Sequence, residues 1–190
     1  MRAATAATSL LLAALVLGAT ACGDSPQESS AATPYAPAMP AVASRGVNLG
    51  ECDELSVPEG SKLVLHSYAE GVQIYQWDNG TWAPRGPSAT LYADADRSAV
   101  IGIHYGGPTW ESNGGGFVVG RLNKPCERGP ADIPWLLLDG IRSEGPGIFH
   151  RVAHIQRINT VGGRAPSAPG SQGEVRNVPY TAEYFFYRVP

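Results

Sequence analysis

The chain has 190 residues and a formal net charge of −3, and its 14 basic and 17 acidic residues form no run of one sign. Nucleic-acid-binding proteins present a clustered basic face, so we exclude nucleic acid as a partner. Glycine and proline, 23 and 16 residues, are scattered along the chain, and we detect no internal repeat.

The first 21 residues have the order of a secretory signal. A basic start at Arg2 is followed by an apolar run to Leu17 and by small residues up to Cys22. The run is shorter than the roughly 20 residues that a membrane-spanning helix needs. Small residues that end at a cysteine resemble a bacterial lipoprotein signal, which predicts that Cys22 is lipidated and becomes the first mature residue. The alternative is an ordinary signal cleaved near Ala21, which leaves a free thiol.

Residues 22–46 are rich in Ala, Pro and Ser and have little apolar periodicity. Such a segment cannot bury enough apolar surface to offset its ordering entropy, so we predict a flexible stalk. Residues 47–190 then have the size of one globular domain. The chain is predicted to lie outside the cytoplasm, held to a bacterial membrane by its lipid or released as a secreted form.

The apolar runs after the stalk are short, rich in β-branched and aromatic residues, and bounded by Gly, Pro, Asn or Asp, which is the pattern of strands. The regular spacing of turns, without a long amphipathic helix, predicts an all-β fold: a single-domain antiparallel sandwich or barrel with Gly/Pro-rich loops. The predicted strands are residues 62–68, 72–77, 81–85, 99–104, 117–122, 135–138, 152–159 and 180–189.

The clearest local prediction is a hairpin in the sequence QIYQWDNGTWAPRG. Asn79-Gly80 is a favoured pair for a two-residue turn because both residues tolerate positive φ. Such a turn sets Asp78 opposite Thr81 and Trp77 opposite Trp82. The two tryptophans are expected to pack against each other, for about 0.2–1 kcal/mol. The alternative is a stacking platform for a sugar or similar ring.

Besides Cys22 the chain has two cysteines, Cys52 and Cys126. Outside the cytoplasm such a pair usually forms a disulfide, which we predict here. A metal pair is the alternative, but no CxxC or nearby Cys-His spacing supports it.

The segment from 145 to 163 fits either a helix with one apolar face or a strand, and its β-branched residues favour the strand. His150 and His154 could share a metal ion on a helix. On a strand they lie roughly 13 Å apart, which is too far. We therefore predict no metal there, and two histidines at a sheet surface.

The common catalytic and cofactor motifs are missing. No GxSxG occurs, and zinc-ligand spacings are absent. Gly114, Gly116 and Gly120 give only a loose version of the dinucleotide motif and lead into a strand rather than a helix. We predict no cofactor.

The remaining candidate site is HYGGPTWESNGGG, residues 104–116. In a functional interpretation His104 is a base, Glu111 an orienting group or acid, and Trp110 a wall. In a structural interpretation Trp110 fills the core, and the two polar side chains satisfy backbone groups of an irregular turn. The structural interpretation is favoured. A binding site here would use Trp110, with His104, Glu111 and Asn113 forming hydrogen bonds.

Several segments in this order resemble the domain of unknown function 3455 family, small secreted proteins of bacteria and fungi. The segments are VPEG (57–60), GVQIY (71–75), HYGGPTWES (104–112), VVGR (118–121), IPWLLL (133–138), IQRINTVGGRAP (155–166) and VPYTAEYFFY (178–187). The resemblance implies a secreted, β-rich single domain and implies no activity.

The chain departs from this family at two positions where relatives usually carry cysteine. One is Trp77, and the other lies near Ser171. Both cysteines are absent together, as expected if they form one disulfide, and Cys52 with Cys126 would replace it elsewhere. A carboxylate of the family is also lost in the turn at 113–115.

The leading hypothesis is a lipid-anchored, extracytoplasmic binding or envelope-structural module whose partners are the membrane and a small-molecule or glycan ligand. The alternative is a hydrolase or metal-dependent enzyme that uses His104 and Glu111. A purely structural domain without a ligand is the third hypothesis.

Overall fold

The computed structural model of the protein describes residues 47–190. Eight antiparallel strands form one sheet, in which each strand pairs with the next along the chain and the last pairs with the first. The predicted all-β class is confirmed, and the sheet closes into a barrel. The predicted signal at residues 1–21, the predicted lipidation site Cys22 and the predicted stalk at residues 22–46 lie outside the described residues.

The strands are β1 Lys62–Asp78, β2 Thr81–Tyr92, β3 Val100–Tyr105, β4 Thr109–Ser112, β5 Phe117–Cys126, β6 Trp135–Glu144, β7 His154–Gly162 and β8 Val175–Arg188. One turn of 3-10 helix, Asp53–Leu55, precedes them. No helix within residues 47–190 is long and apolar enough to cross a membrane.

β1 is one long strand where the sequence predicted two, residues 62–68 and 72–77. The glycine between them, Gly71, lies opposite Ala89 of β2. A Cβ atom at Gly71 would come 2.2 Å from the backbone oxygen of Ser88. The glycine therefore permits a close approach of two backbones and does not mark a turn.

The predicted hairpin is confirmed at Asn79-Gly80. Both residues have positive φ, 48° and 80°, and the register sets Trp77 opposite Trp82. The two rings meet edge to face at 5.3 Å. Trp82 is buried, and its indole N–H donates to the carbonyl of Ala168 at 2.9 Å. The pair has the geometry of mutual packing.

The structure differs from the sequence predictions at two further elements. β4 was not predicted, because its four residues lie between glycine-rich turns. The predicted strand at residues 152–159 begins at His154 instead, so the prediction of a strand was wrong for His150, which lies in an exposed turn before β7. Gly145 and Gly147, both with positive φ, continue that turn further than the apolar pattern suggested.

Two apolar clusters hold the domain together. The larger fills the barrel interior and includes Leu65, Trp110 and Phe186. The smaller lies outside the barrel, where Leu49 and Leu55 of the segment before β1 cover the outer side of β6, β7 and β8. The predicted Cys52–Cys126 disulfide is confirmed and ties this segment to the end of β5, with Cα atoms 5.9 Å apart.

Candidate functional site: a cavity at one end of the barrel

A cavity of about 200 Å³ lies inside the barrel, at the end where β4 and β6 begin. We call this end the open end. The apolar side chains of the cavity are Pro87, Pro108, Leu122, Leu136 and Leu138. Its remaining lining groups are His104, Trp110, Arg157 and Tyr184. A mostly apolar wall with a few polar groups is the usual composition of a small-molecule site.

Two cross-strand pairs place the four polar and aromatic side chains in the cavity. His104 of β3 pairs with Trp110 of β4, and Arg157 of β7 pairs with Tyr184 of β8. Directly paired residues point to the same face of a sheet, and here that face is the barrel interior. The register of the closed barrel therefore brings together side chains that are far apart in sequence.

His104 and Trp110 form the buried side of the cavity. Their rings stack at 4.3 Å with an angle of 6° between the planes, and each side chain is at most 2% exposed. Nδ1 of His104 lies 2.8 Å from the carbonyl oxygen of Thr109. That oxygen can only accept, so Nδ1 carries the proton and donates, and Nε2 is left as an acceptor. Burial lowers the pKa of His104 to about 3, so the ring is neutral at ordinary pH.

The indole N–H of Trp110 is buried and has no hydrogen-bond partner among residues 47–190. The ring is held by edge-to-face contacts with Tyr184 at 5.4 Å and Phe186 at 5.9 Å. A buried donor without a partner costs about 1–3 kcal/mol. This group can only donate, so an acceptor placed beside it would satisfy it.

Arg157 supplies the positive charge of the cavity. Its Nε and Nη2 atoms donate to the carbonyl oxygen of Pro134 at 3.3 and 2.8 Å. No carboxylate of the described residues lies within ion-pair distance of its guanidinium. Burial raises the pKa of Tyr180 and Tyr184 in the barrel, and the charge of Arg157 opposes both increases. Arg157 therefore contributes a positive potential to the interior near these tyrosines.

The structure separates the four binding residues that the sequence suggested. His104 and Trp110 line the cavity. Glu111 follows Trp110 on the same strand, so it points outward, where it accepts a hydrogen bond from the hydroxyl of Tyr105 at 2.9 Å. Asn113 is exposed, and its side chain donates to a β3 carbonyl at 2.9 Å. An acid–base pair of His104 and Glu111 is therefore not formed in this structure.

Sequence reasoning missed Arg157 and Tyr184. Arg157 lies in the run HIQRINTVG between Gln156 and Ile158, and an arginine in a strand is typically on the solvent face. Its inward direction follows from its pairing with Leu136 and Tyr184. The nearest sequence signal is the apolar residue at every second position of β8, which identifies the inner face of that strand.

One group of potential metal ligands occurs within the described residues: Cys52, Glu54 and Cys126 lie within 4.8 Å of one another. The two sulfur atoms are bonded to each other, so neither is a thiolate that could bind a metal ion.

The fold and the cavity define a small all-β barrel domain with an interior site that combines apolar walls with hydrogen-bond donors. The profile of the family described as Protein of unknown function (DUF3455) matches residues 58–188, so the chain belongs to this family. The membership predicted from the ordered segments is confirmed. No curated protein and no solved structure matches the chain.

The two positions at which relatives of this family are expected to carry cysteine lie side by side. The backbone amide of Trp77 donates to the carbonyl of Glu174 at 2.8 Å, and the backbone amide of Gly173 donates to the carbonyl of Trp77 at 2.9 Å. A Cβ atom at Gly170 would come 2.7 Å from the ring of Trp82. In this chain two tryptophans and a glycine therefore hold the loop before β8 against the hairpin.

Proposed function

We propose that the protein is a lipid-anchored, extracytoplasmic binding protein that takes a small ligand into the cavity at the open end of its barrel. One observation carries the binding role: Trp110, whose buried indole N–H has no hydrogen-bond partner among residues 47–190, is a lining residue of a cavity of about 200 Å³. A ligand acceptor would remove the cost of this donor, and the apolar walls would stabilise the rest of the ligand.

The proposed location rests on two separate features. The Cys52–Cys126 disulfide agrees with an oxidising compartment outside the cytoplasm, where such bonds persist. The proposal of a lipid anchor rests on the sequence order of a basic start, an apolar run and small residues that end at Cys22. Two or three acyl chains hold a protein stably at a membrane, whereas one chain holds it only marginally.

Binding is tested by following the indole N–H signal of Trp110 in ¹⁵N–¹H spectra of the full chain while a library of single-ring compounds is added. The loss of one of the indole signals in Trp110→Phe assigns it. We expect at least one compound to shift this signal in the wild type. Leu136→Phe, which narrows the cavity, should abolish the shift. Ile141→Phe adds the same ring on the exposed side of the same strand and should retain it.

A library that leaves the Trp110 signal unmoved would contradict the binding function and favour a structural domain without a ligand. Equal shifts in wild type and Leu136→Phe would place the ligand outside the cavity.

The anchor is tested by mass spectrometry of the mature N-terminus. We expect a first residue Cys22 whose mass includes acyl chains, and we expect Cys22→Ser to leave the membrane fraction. An unmodified alanine or cysteine at the mature N-terminus would contradict the anchor and leave the binding proposal standing.

A further inference from the structure

We infer that the ligand of the cavity is a small organic carboxylate with a compact apolar body of about one ring. This inference rests on the proposed binding function and specifies the ligand of the same site. The size of the cavity, the charge at its wall and the balance of donors and acceptors each support it.

The volume limits the ligand to about one ring and one polar group. Pockets for drug-sized molecules occupy about 300–1,000 Å³. An engineered apolar cavity of about 150 Å³ binds benzene. The cavity of about 200 Å³ falls between these values, close to the lower one.

The charge of the wall favours an anion. Arg157 is the one permanently charged side chain that lines the cavity within residues 47–190. It is half-buried, no carboxylate of the described residues pairs with it, and its hydrogen bonds to Pro134 use Nε and Nη2 but not Nη1. Guanidinium groups bind carboxylates with paired, charge-assisted hydrogen bonds.

The balance of donors and acceptors favours a group that accepts. The indole of Trp110 and the guanidinium of Arg157 can only donate, and the hydroxyl of Tyr184 can do either. Among the lining side chains that the structure describes, Nε2 of neutral His104 is the one obligatory acceptor. A sugar ring presents several hydroxyl donors and needs a wetter wall, so this cavity does not fit the glycan that the sequence left open. A phosphate group carries about 1.5–2 negative charges at pH 7, whereas a carboxylate carries one, which matches the single positive charge of Arg157.

The test compares benzoate, benzamide and toluene, which share one ring and differ in the attached group. Each is titrated into the full chain up to the millimolar range, since compounds of this size bind weakly. The readouts are the Trp110 indole signal and calorimetry. We expect benzoate to bind about tenfold or more tightly than benzamide, because hydrogen bonds to a charged group are the stronger kind.

Arg157→Met should reduce benzoate affinity about tenfold and change benzamide affinity by less than threefold. Arg157→Lys retains the charge without the paired donors and should give an intermediate loss. Arg121→Met removes an exposed arginine from the outer side of β5 and should leave all three affinities unchanged.

The outcomes separate this inference from the function on which it depends. If benzamide or toluene binds as tightly as benzoate, the inference of a carboxylate ligand is wrong, and the protein binds neutral compounds instead. The same conclusion follows if benzoate loses no affinity in Arg157→Met. If Arg157→Met does not fold, the ratio of benzoate to benzamide affinity in the wild type and in Arg157→Lys decides. If none of the three compounds gives a response, the inference of a carboxylate ligand is wrong. The binding function itself is contradicted only if the wider library also fails.

Discussion

At the scale of single residues, burial makes His104 a neutral hydrogen-bonding group. Its ring lies against Trp110, and Nδ1 donates to the carbonyl of Thr109. A general base works best with a pKa near the working pH, whereas burial lowers the pKa of His104 to about 3. Glu111, which the functional interpretation paired with His104 as an acid or orienting group, points to the outer side of the barrel. His104 is therefore better suited to fix the position of Trp110 and to accept a hydrogen bond through Nε2.

This burial predicts an acid-sensitive stability. The unfolded chain takes up a proton on His104 near pH 6.5, whereas the folded chain resists it down to about pH 3. As far as His104 is concerned, the free energy of unfolding has its full value above about pH 6.5. It decreases by about 1.4 kcal/mol per pH unit as the pH falls from 6.5 towards 3. In denaturant unfolding at several pH values, we expect the stability of His104→Gln to fall less steeply than that of the wild type.

His150→Gln, which changes an exposed histidine, is the matched control. Identical slopes for the wild type and His104→Gln would contradict a neutral, buried His104.

Gly120 gives Trp110 the room that it occupies. A Cβ atom there would lie 2.9 Å from Cζ3 of Trp110 and 3.3 Å from a methyl group of Leu138. We expect Gly120→Ala to lower the free energy of unfolding by about 1–3 kcal/mol, as overpacked cores do. The Trp110 indole signal should shift as well. Gly114→Ala, whose Cβ would meet only a hydroxyl at 3.7 Å, should change neither quantity measurably.

At the scale of elements, the sequence predicted the strands whose ends carry strong turn residues and missed those whose limits depend on pairing. The Asn79-Gly80 turn was predictable because positive φ is a local property. The continuation of β1 through Gly71 was not, since it depends on β2 packing within contact distance. β4 has four residues, too few for a periodic pattern, and exists because β3 and β5 pair with it on both sides.

The disulfide joins an irregular segment to a strand, and its removal should cost stability through the unfolded state. For a separation of 74 residues, the loss of the cross-link corresponds to about 4 kcal/mol in the chain-entropy treatment. We expect the double variant Cys52→Ala/Cys126→Ala to show this decrease in denaturant unfolding. The wild type with a reducing agent should approach the same midpoint. An unchanged midpoint in the double variant would contradict the stabilising role.

At the scale of the whole molecule, the two ends of the barrel differ. The turn between β6 and β7 brings Phe149 onto Phe186, with ring centroids 4.9 Å apart, and fills the end opposite the cavity. Strand patterns predicted a closed or two-layered core, that is, a barrel or a sandwich. Which end stays open depends on the register of all eight pairings, so Arg157 and the cavity could not be located from the sequence.

Residues 47–190 contain a closed barrel, two apolar clusters and a disulfide, so we expect this range to fold as an independent unit. We expect a chain that begins at Val47 to unfold at the same denaturant concentration as the full chain. A chain that begins at Glu59 should be much less stable. It loses the disulfide, the cover that Leu49 and Leu55 provide, and the buried hydrogen bond from Gln156 to the carbonyl of Leu55.

The double cysteine variant, begun at Val47, separates these causes. The chain from Glu59 should be less stable than this variant by about 3–6 kcal/mol, since each fully buried leucine side chain contributes about 1.5–3 kcal/mol. Equal stability of the two would mean that the segment before β1 acts only through its cross-link. A chain from Val47 that is less stable than the full chain would show that the preceding residues contribute to the fold.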